Sequence, residues 1–321
     1  MTARKRTSPK VRFGEPTSDA NWIALMGEYD AFGKKYRDLE DSTLKMYKWY
    51  LGSFATWLME ESGLAGLEEL DFQALVAFVL VYGDTHDRCQ SMYSALRSFL
   101  LFAHINGYVS TDLRSAIPRV RERALSKVPF ILSDKSVGQV LGAIDRETVV
   151  GRRDYAVIQI LLNYGIRGIQ ARNMKLQDIH WRAGRILIQP AKRGKAVEQP
   201  LLPEVGNALV DYLQKGRPQN TNHQEIFLTT LSPWKPLSQS TMTLMVARRL
   251  KRAKIRLPEN VRKGSHLFRH LFASKMLEND VPLNHIAEML GHRNESSTLI
   301  YTKIDYNNLM DIAQEWPAVL S

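Results

Sequence analysis

Between residues 264 and 270 the chain reads Gly264-Ser265-His266-Leu267-Phe268-Arg269-His270, which spaces His266, Arg269 and His270 three and four residues apart. On a helix that spacing brings the three side chains to one side. Two chemistries fit such a cluster. Two histidines one turn apart can share a zinc ion, but the metalloprotease form of that pair has Glu beside the first histidine, where this chain has Leu267. The other chemistry is phosphate binding. Arg269 offers a planar fork of donors, His266 a neutral or charged donor, and a helix N-terminus capped by Ser265 its positive end. Phosphate is the preferred reading, and no metal is expected. Other reactive groups stand in sequence around this segment: Arg167 after Tyr164-Gly165-Ile166, Lys192 and Lys195 in a short glycine-containing break, Gly291-His292, and Tyr301 nine residues after His292.

The composition agrees with an anionic partner. Lys and Arg number 44 against 33 Asp and Glu, a net charge of +11, which suits nucleic acid or an anionic membrane surface. The most apolar run, Ala74 to Tyr82, is nine residues long and reads as a buried core helix. A spanning helix needs about 20 residues. The basic start, Arg4, Lys5 and Arg6, is followed by no apolar stretch, so no secretory signal is expected and a cytoplasmic location is. Cys89 is the only cysteine, which rules out an intrachain disulfide and a cysteine-based zinc site. DNA or RNA gains as the partner, and no membrane is expected.

The elements that must carry these residues fall into two domains. Residues 1–17 read as a basic flexible arm. Residues 18–117 are helical in pattern. Leu44, Tyr47, Leu51, Phe54 and Leu58 form one buried face behind a Ser42 cap, with Lys45 and Lys48 elsewhere on that helix. A second helix from about Asp87 to Ile105 places Met92, Leu96, Phe99 and Ala103 on one stripe and stops at Gly107. Residues 118–129 read as a basic linker, with Arg119, Arg121, Arg123 and Lys127 against Glu122. The rest, 130–321, predicts a mixed α+β domain. A helix capped by Ser133 or Asp134 opens it, and another over Arg153 to Tyr164 ends at Gly165. Short strands over Ile179 to Trp181, Arg185 to Ile188 and Ala196 to Leu202 make a small antiparallel sheet, and helices resume from Ser238. Near the end Leu309, Ile312, Ala313 and Trp316 form an apolar stripe that stops at Pro317.

Taken in order, Arg167, Lys192, His266-x-x-Arg269, Gly291-His292 and Tyr301 resemble the signature of the tyrosine recombinase, or phage integrase, family. The resemblance covers essentially the whole second domain, and Ser94 to Leu100 is similar to the last strong helix of the family's core-binding domain. It implies an N-terminal all-α, SAM-like core-binding bundle joined to a C-terminal α+β catalytic domain with a small antiparallel sheet. It also implies a site-specific recombinase that cleaves and rejoins DNA through a 3′-phosphotyrosine intermediate, with no cofactor, metal or ATP. Tyr301 would be the nucleophile, Arg167 and Arg269 would hold the non-bridging oxygens, His266 and His292 would donate hydrogen bonds or help move protons, and Lys192 would protonate the leaving 5′-hydroxyl. Lys195 is the nearest rival for that last role, and His270 is assigned to structure.

The partner would be double-stranded DNA, with self-association on it as a dimer on a site and a tetramer in synapsis. The tail stripe would dock on a neighbouring subunit or on its own domain. Contact to DNA is expected from Lys45, Lys48, Arg97, Arg119, Arg121, Arg123, Arg193, Lys195, Arg248, Arg249, Lys251 and Arg252. One position departs from the family pattern. The acidic residue usual three positions after the first arginine is Gln170, which brings no charge to hold Arg167, so Gln170→Glu is expected to keep or raise cleavage. Two other readings remain open: a type IB topoisomerase-like enzyme that lets a strand swivel, and a non-catalytic DNA-binding relic.

Overall fold

The computed structural model describes residues 19–82, 89–119, 129–191, 195–259 and 261–291. The basic arm, Arg121, Arg123, Lys192, Arg193, His292, Tyr301 and the C-terminal apolar stripe lie outside the described residues. The chain divides into two compact units between residues 122 and 123.

The first unit is all-α. Helix α1 (Ala20–Arg37) starts where Asp19 accepts from the Trp22 N–H at 2.8 Å and ends at Asp38 in the left-handed region, φ 52°. Helix α2 (Asp41–Thr56) begins one residue before the expected Ser42 cap. The Glu40 carbonyl takes the first backbone bonds, from Thr43 and Leu44, which leaves Ser42 inside the first turn. Leu44, Leu51, Phe54 and Leu58 are buried along the anticipated face and Tyr47 is half-buried. Helix α4 (Cys89–Ile105) buries Met92, Leu96, Phe99 and Ala103, and Gly107 follows with φ 78°. Phe54 is the hub, its ring within 5.2 to 6.4 Å of Phe78, Trp57, Phe99 and Trp22.

Helix α3 (Phe72–Tyr82) corrects one expectation. Leu75, Phe78, Val79 and Tyr82 face the core, but Leu80 is 74% exposed and Val81 48%. An unbroken apolar run has no period, so it does not tell which side of its helix is covered. Among the described residues no helix is long and apolar enough to cross a membrane.

The second unit is α+β. Ser133 caps α5 (Asp134–Gly142), accepting from the Ser136 N–H at 3.2 Å. Helix α6 (Val149–Tyr164) starts four residues before the expected Arg153, because the Thr148 hydroxyl accepts from the Gly151 N–H at 3.0 Å. It ends, as the sequence indicates, at left-handed Gly165. Helix α7 (Gly168–Asn173) leads into β1 (Ile179–His180), β2 (Arg185–Ile188) and β3 (Val197–Pro200), which pair antiparallel in that order. Strands β1 and β3 are shorter than their sequence runs, since Trp181 enters a 3-10 turn and Leu202 sits at the N-cap of α8 (Pro203–Lys215). Helices α9 (Gln239–Arg252), α10 (His266–Glu278) and α11 (Leu283–Leu290) complete the described chain. The main core gathers α6, α8, α9, the sheet and the first turns of α10, whereas Ala273, Ile286 and Leu290 form a separate small cluster that holds α11 to α10.

Candidate active site

The site is built on three chain reversals. The first is the end of α6. Gly165 has φ 57°, a conformation that favours glycine, and a Cβ there would meet the Phe272 ring at 2.4 Å. Gly168 is as tightly approached, its missing Cβ 2.5 Å from the Ser265 hydroxyl oxygen. These two glycines flank Arg167 and let α10 close on the turn that carries it. The approach also explains a departure at α10. Ser265 occupies the N-cap position but has helical backbone angles and makes no side-chain cap bond.

The second reversal is the end of α11. Gly291, with φ 60°, caps it by donating its N–H to the Ala287 and Glu288 carbonyls, and the Leu290 carbonyl beyond them takes side-chain donors. Those donors are guanidinium groups. Arg269, buried on α10, donates to the Leu290 carbonyl at 2.7 Å and to the Gly165 carbonyl at 2.9 Å. Arg167 donates through one nitrogen to Leu290 O at 3.4 Å and to Gly291 O at 3.3 Å. The negative pole of α11 thus sits between two fixed positive charges. Position 292 follows directly in sequence.

His266 lies one turn before Arg269 on α10. Its ring reaches the surface, yet burial of part of the ring, together with Arg269, Arg167 and Arg262, lowers its pKa. His270 is half-buried, 6.4 Å from His266 between ring centroids, and burial, with His266 and Arg269 beside it, pushes its pKa down to about 4. Both rings are therefore neutral near pH 7. His266 is exposed and His270 half-buried on the same side of α10.

The third reversal is the β2–β3 connection, which contains Lys192 in sequence. Its first residue, Gln189, is held twice: its carbonyl accepts from Gln170 Nε2 at 2.8 Å, and its own amide donates to buried Asp178 at 2.9 Å. Gln170 Oε1 in turn accepts the backbone N–H of Arg167 at 3.0 Å. Lys195, two residues before β3, is exposed.

The expected DNA contacts separate into three kinds. Lys45, Arg119, Arg248, Lys251 and Arg252 are exposed, as Lys195 is. Lys48 is ion-paired with Asp30, and Arg97 donates to the carbonyls of Ile117 and Pro118 while lining a cavity of about 850 Å³ with Arg37, Arg114 and Arg119. Arg249 is a correction. It is 3% exposed and holds Asp154 through two nitrogens, one at 2.8 Å, while Arg153 grips the other oxygen of the same carboxylate at 2.7 Å. Its position was readable from the helix period, because Met242, Met245, Val246, Arg249 and Leu250 form one buried stripe.

The carbonyls of Leu290 and Gly165 and the carboxylate of Asp154 are what sequence reasoning missed. A backbone acceptor has no letter of its own. Only Gly291, as the residue ending α11, marked where such acceptors would be left open.

The chain matches the Phage integrase family over residues 131–308. It is 30% identical over 320 residues, 98% of this chain and 75% of the relative, to the putative integrase/recombinase y4rF of Sinorhizobium fredii (strain NBRC 101917 / NGR234). To the putative integrase/recombinase y4rA of the same strain it is 39% identical, over 72% of this chain and 55% of that relative's length. The fold is shared with the XerH site-specific recombinase bound to palindromic difH substrate, at a TM-score of 0.70 and 21% identity over 94% of this chain and 91% of that one. The sequence match across the second unit and the near full-length match to y4rF show that this chain belongs to the phage integrase family of tyrosine recombinases.

Proposed function

We propose that this chain is a site-specific DNA recombinase or integrase that breaks and rejoins strands through Tyr301. The phenolic oxygen attacks a phosphodiester phosphorus, the bond to the 5′ oxygen breaks, and the phosphate becomes a 3′-phosphotyrosine. A free tyrosine has a pKa near 10, so the attacking oxygen needs a proton acceptor, for which His266 in its neutral form is available. Lys192 gives a proton to the departing 5′ oxygen. Charge building on the non-bridging oxygens is met by Arg167 and Arg269, whose guanidiniums stay protonated. With that charge already in place the step calls for no metal, and since the bond energy is kept in the phosphotyrosine, a second 5′-hydroxyl reverses it without ATP. Double-stranded DNA is the partner, bound by a dimer on each site and joined by a tetramer in synapsis.

The observation that carries this reading is the convergence of Arg167 and Arg269 on one helix end, directly before His292. The test is covalent capture. Wild-type protein is incubated with a pool of short nicked duplexes of randomised sequence, on which cleavage releases the strand that would reverse it, and the trapped DNA is sequenced. Tyr301→Phe should abolish the adduct and leave affinity within a few fold. An adduct that persists, or that moves to Tyr306, would falsify the assignment. Capture of every sequence alike, with relaxation of supercoiled DNA and no joint products, would favour strand swivelling, and wild-type protein that binds DNA without any adduct would be a relic.

A further inference from the structure

The amide of Gln170 has a fixed orientation. One of its ends meets a donor, the backbone N–H of Arg167 at 3.0 Å, and the other meets an acceptor, the Gln189 carbonyl at 2.8 Å. Only a group with one accepting and one donating end satisfies both. The bonded strip runs on through the Gln189 side chain to Asp178, whose second oxygen is taken by the Lys175 N–H at 2.7 Å. Two charged residues take part in the strip, Arg167 through its backbone N–H and Asp178 through its carboxylate, and the Arg167 guanidinium donates instead to the end of α11.

From this strip we infer that Gln170 is a positioning residue that works as a neutral amide, tying the turn that carries Arg167 to the start of the β2–β3 connection. The role deepens the recombinase reading and rests on it. One end of the amide fixes the backbone of a phosphate-holding arginine. The other fixes the residue from which the chain departs toward Lys192, the proton donor for the leaving group. A carboxylate serves only the first end. At the second, an ionised oxygen would face a carbonyl oxygen, so both would lack a donor. The expectation drawn from the family pattern, that Gln170→Glu keeps or raises activity, is thereby reversed.

The test separates the two ends with two variants of the full chain. Gln170→Glu keeps the acceptor for Arg167 and loses the donor to Gln189, whereas Gln170→Met loses both. The substrate is the duplex recovered by capture, made once with ordinary DNA and once with sulfur at the 5′-bridging position, where a thiolate leaves without a proton. On ordinary DNA, Gln170→Glu should cleave at least about tenfold more slowly than wild type, with affinity unchanged within a few fold. Sulfur should restore most of that loss, and it should restore only part of the loss in Gln170→Met. Hydrogen exchange over residues 186–196 reads the tie without any cleavage, and it should quicken in both variants.

Wild-type cleavage of ordinary DNA by Gln170→Glu would overturn the inference, as would a loss that sulfur leaves in place or exchange that does not change. Those outcomes would leave the recombinase reading standing. Absence of any adduct with wild-type protein would remove that reading first, and the inference with it.

Discussion

Arg167 and Arg269 donate to the same acceptor, the carbonyl of Leu290, from 3.4 and 2.7 Å. Two guanidiniums this near each other repel, and the end of α11 offsets the repulsion with the Leu290 and Gly291 carbonyls and the negative pole of the helix. On the proposed reading, a phosphate would meet donors whose positions these carbonyls already fix, which is the condition for electrostatic stabilisation of a transition state.

Gly291 holds this arrangement through its backbone alone. At φ 60° an alanine costs about 1 kcal/mol, and its Cβ would lie 3.9 Å from Arg167 Nη1, an ordinary contact that adds no clash. Gly291→Ala should lower Tm by roughly 2 to 4 °C. Cleavage should fall further than that loss of stability accounts for, by about tenfold, because the shared acceptor shifts with the turn. Calorimetry with single-turnover cleavage checks this, and a rate that stays at the wild-type value would show that the cap does not set the arginines.

Lys192 is tested by changing the leaving group. Lys192→Ala should slow cleavage of ordinary DNA by about 10² to 10⁴-fold and approach the wild-type rate with sulfur in the 5′-bridging position. Arg167→Ala should gain nothing from sulfur, since it acts on the non-bridging oxygens. If sulfur rescues Lys195→Ala and leaves Lys192→Ala slow, the proton donor is Lys195.

The basic helix α9 should divide by burial. Arg248→Ala, at an exposed position, should weaken DNA binding with little effect on Tm. Arg249→Ala removes one of the two guanidiniums on buried Asp154 and should cost about 3 to 5 kcal/mol of stability. Thermal melts and DNA titrations on both variants separate the roles. If about eight phosphates are neutralised by the exposed cations, affinity should fall with salt at a log-log slope of roughly −7.

His270 gives the second unit a dependence on acid. Its pKa is about 4 in the folded chain. Unfolded, it titrates near 6.5. Between those values the unfolded chain binds the extra proton, so the stability tied to a neutral His270 is complete above about pH 6.5 and drains away as pH falls toward about 4. The loss is at most about 3.4 kcal/mol. His270→Gln should flatten that part of the stability curve relative to wild type, as read by denaturant melts across this range. Equal slopes in the two proteins would show that the imidazole is not the group responsible.

What was legible in the sequence was local and periodic. The stripes of α2 and α4, the extent of β2, and the stops at Gly107 and Gly165 follow from spacing and from glycine. The order of the reactive residues was legible too, and it placed Arg167 and Arg269 in one site. Hidden were relations between distant backbone atoms. Nothing in Gln170 or Gln189 alone announces that one donates to the carbonyl of the other, and nothing in Arg269 names Gly165 and Leu290 as its acceptors. The outer side of α3 was hidden for the opposite reason, since a uniformly apolar run gives each of its faces the same letters.

Helix α11 is held by Ala273, Ile286 and Leu290 in a cluster apart from the main core of its unit. An element with its own small cluster can open at a lower free energy than the whole unit. Opening of α11 would withdraw the Leu290 carbonyl from both arginines at once, so the two guanidiniums would lose their common acceptor while the remainder of the unit stays folded. On the recombinase reading, catalytic competence would then be a population, set by how much of the time an eight-residue helix is docked, and any contact that steadies or loosens it would act as a throttle.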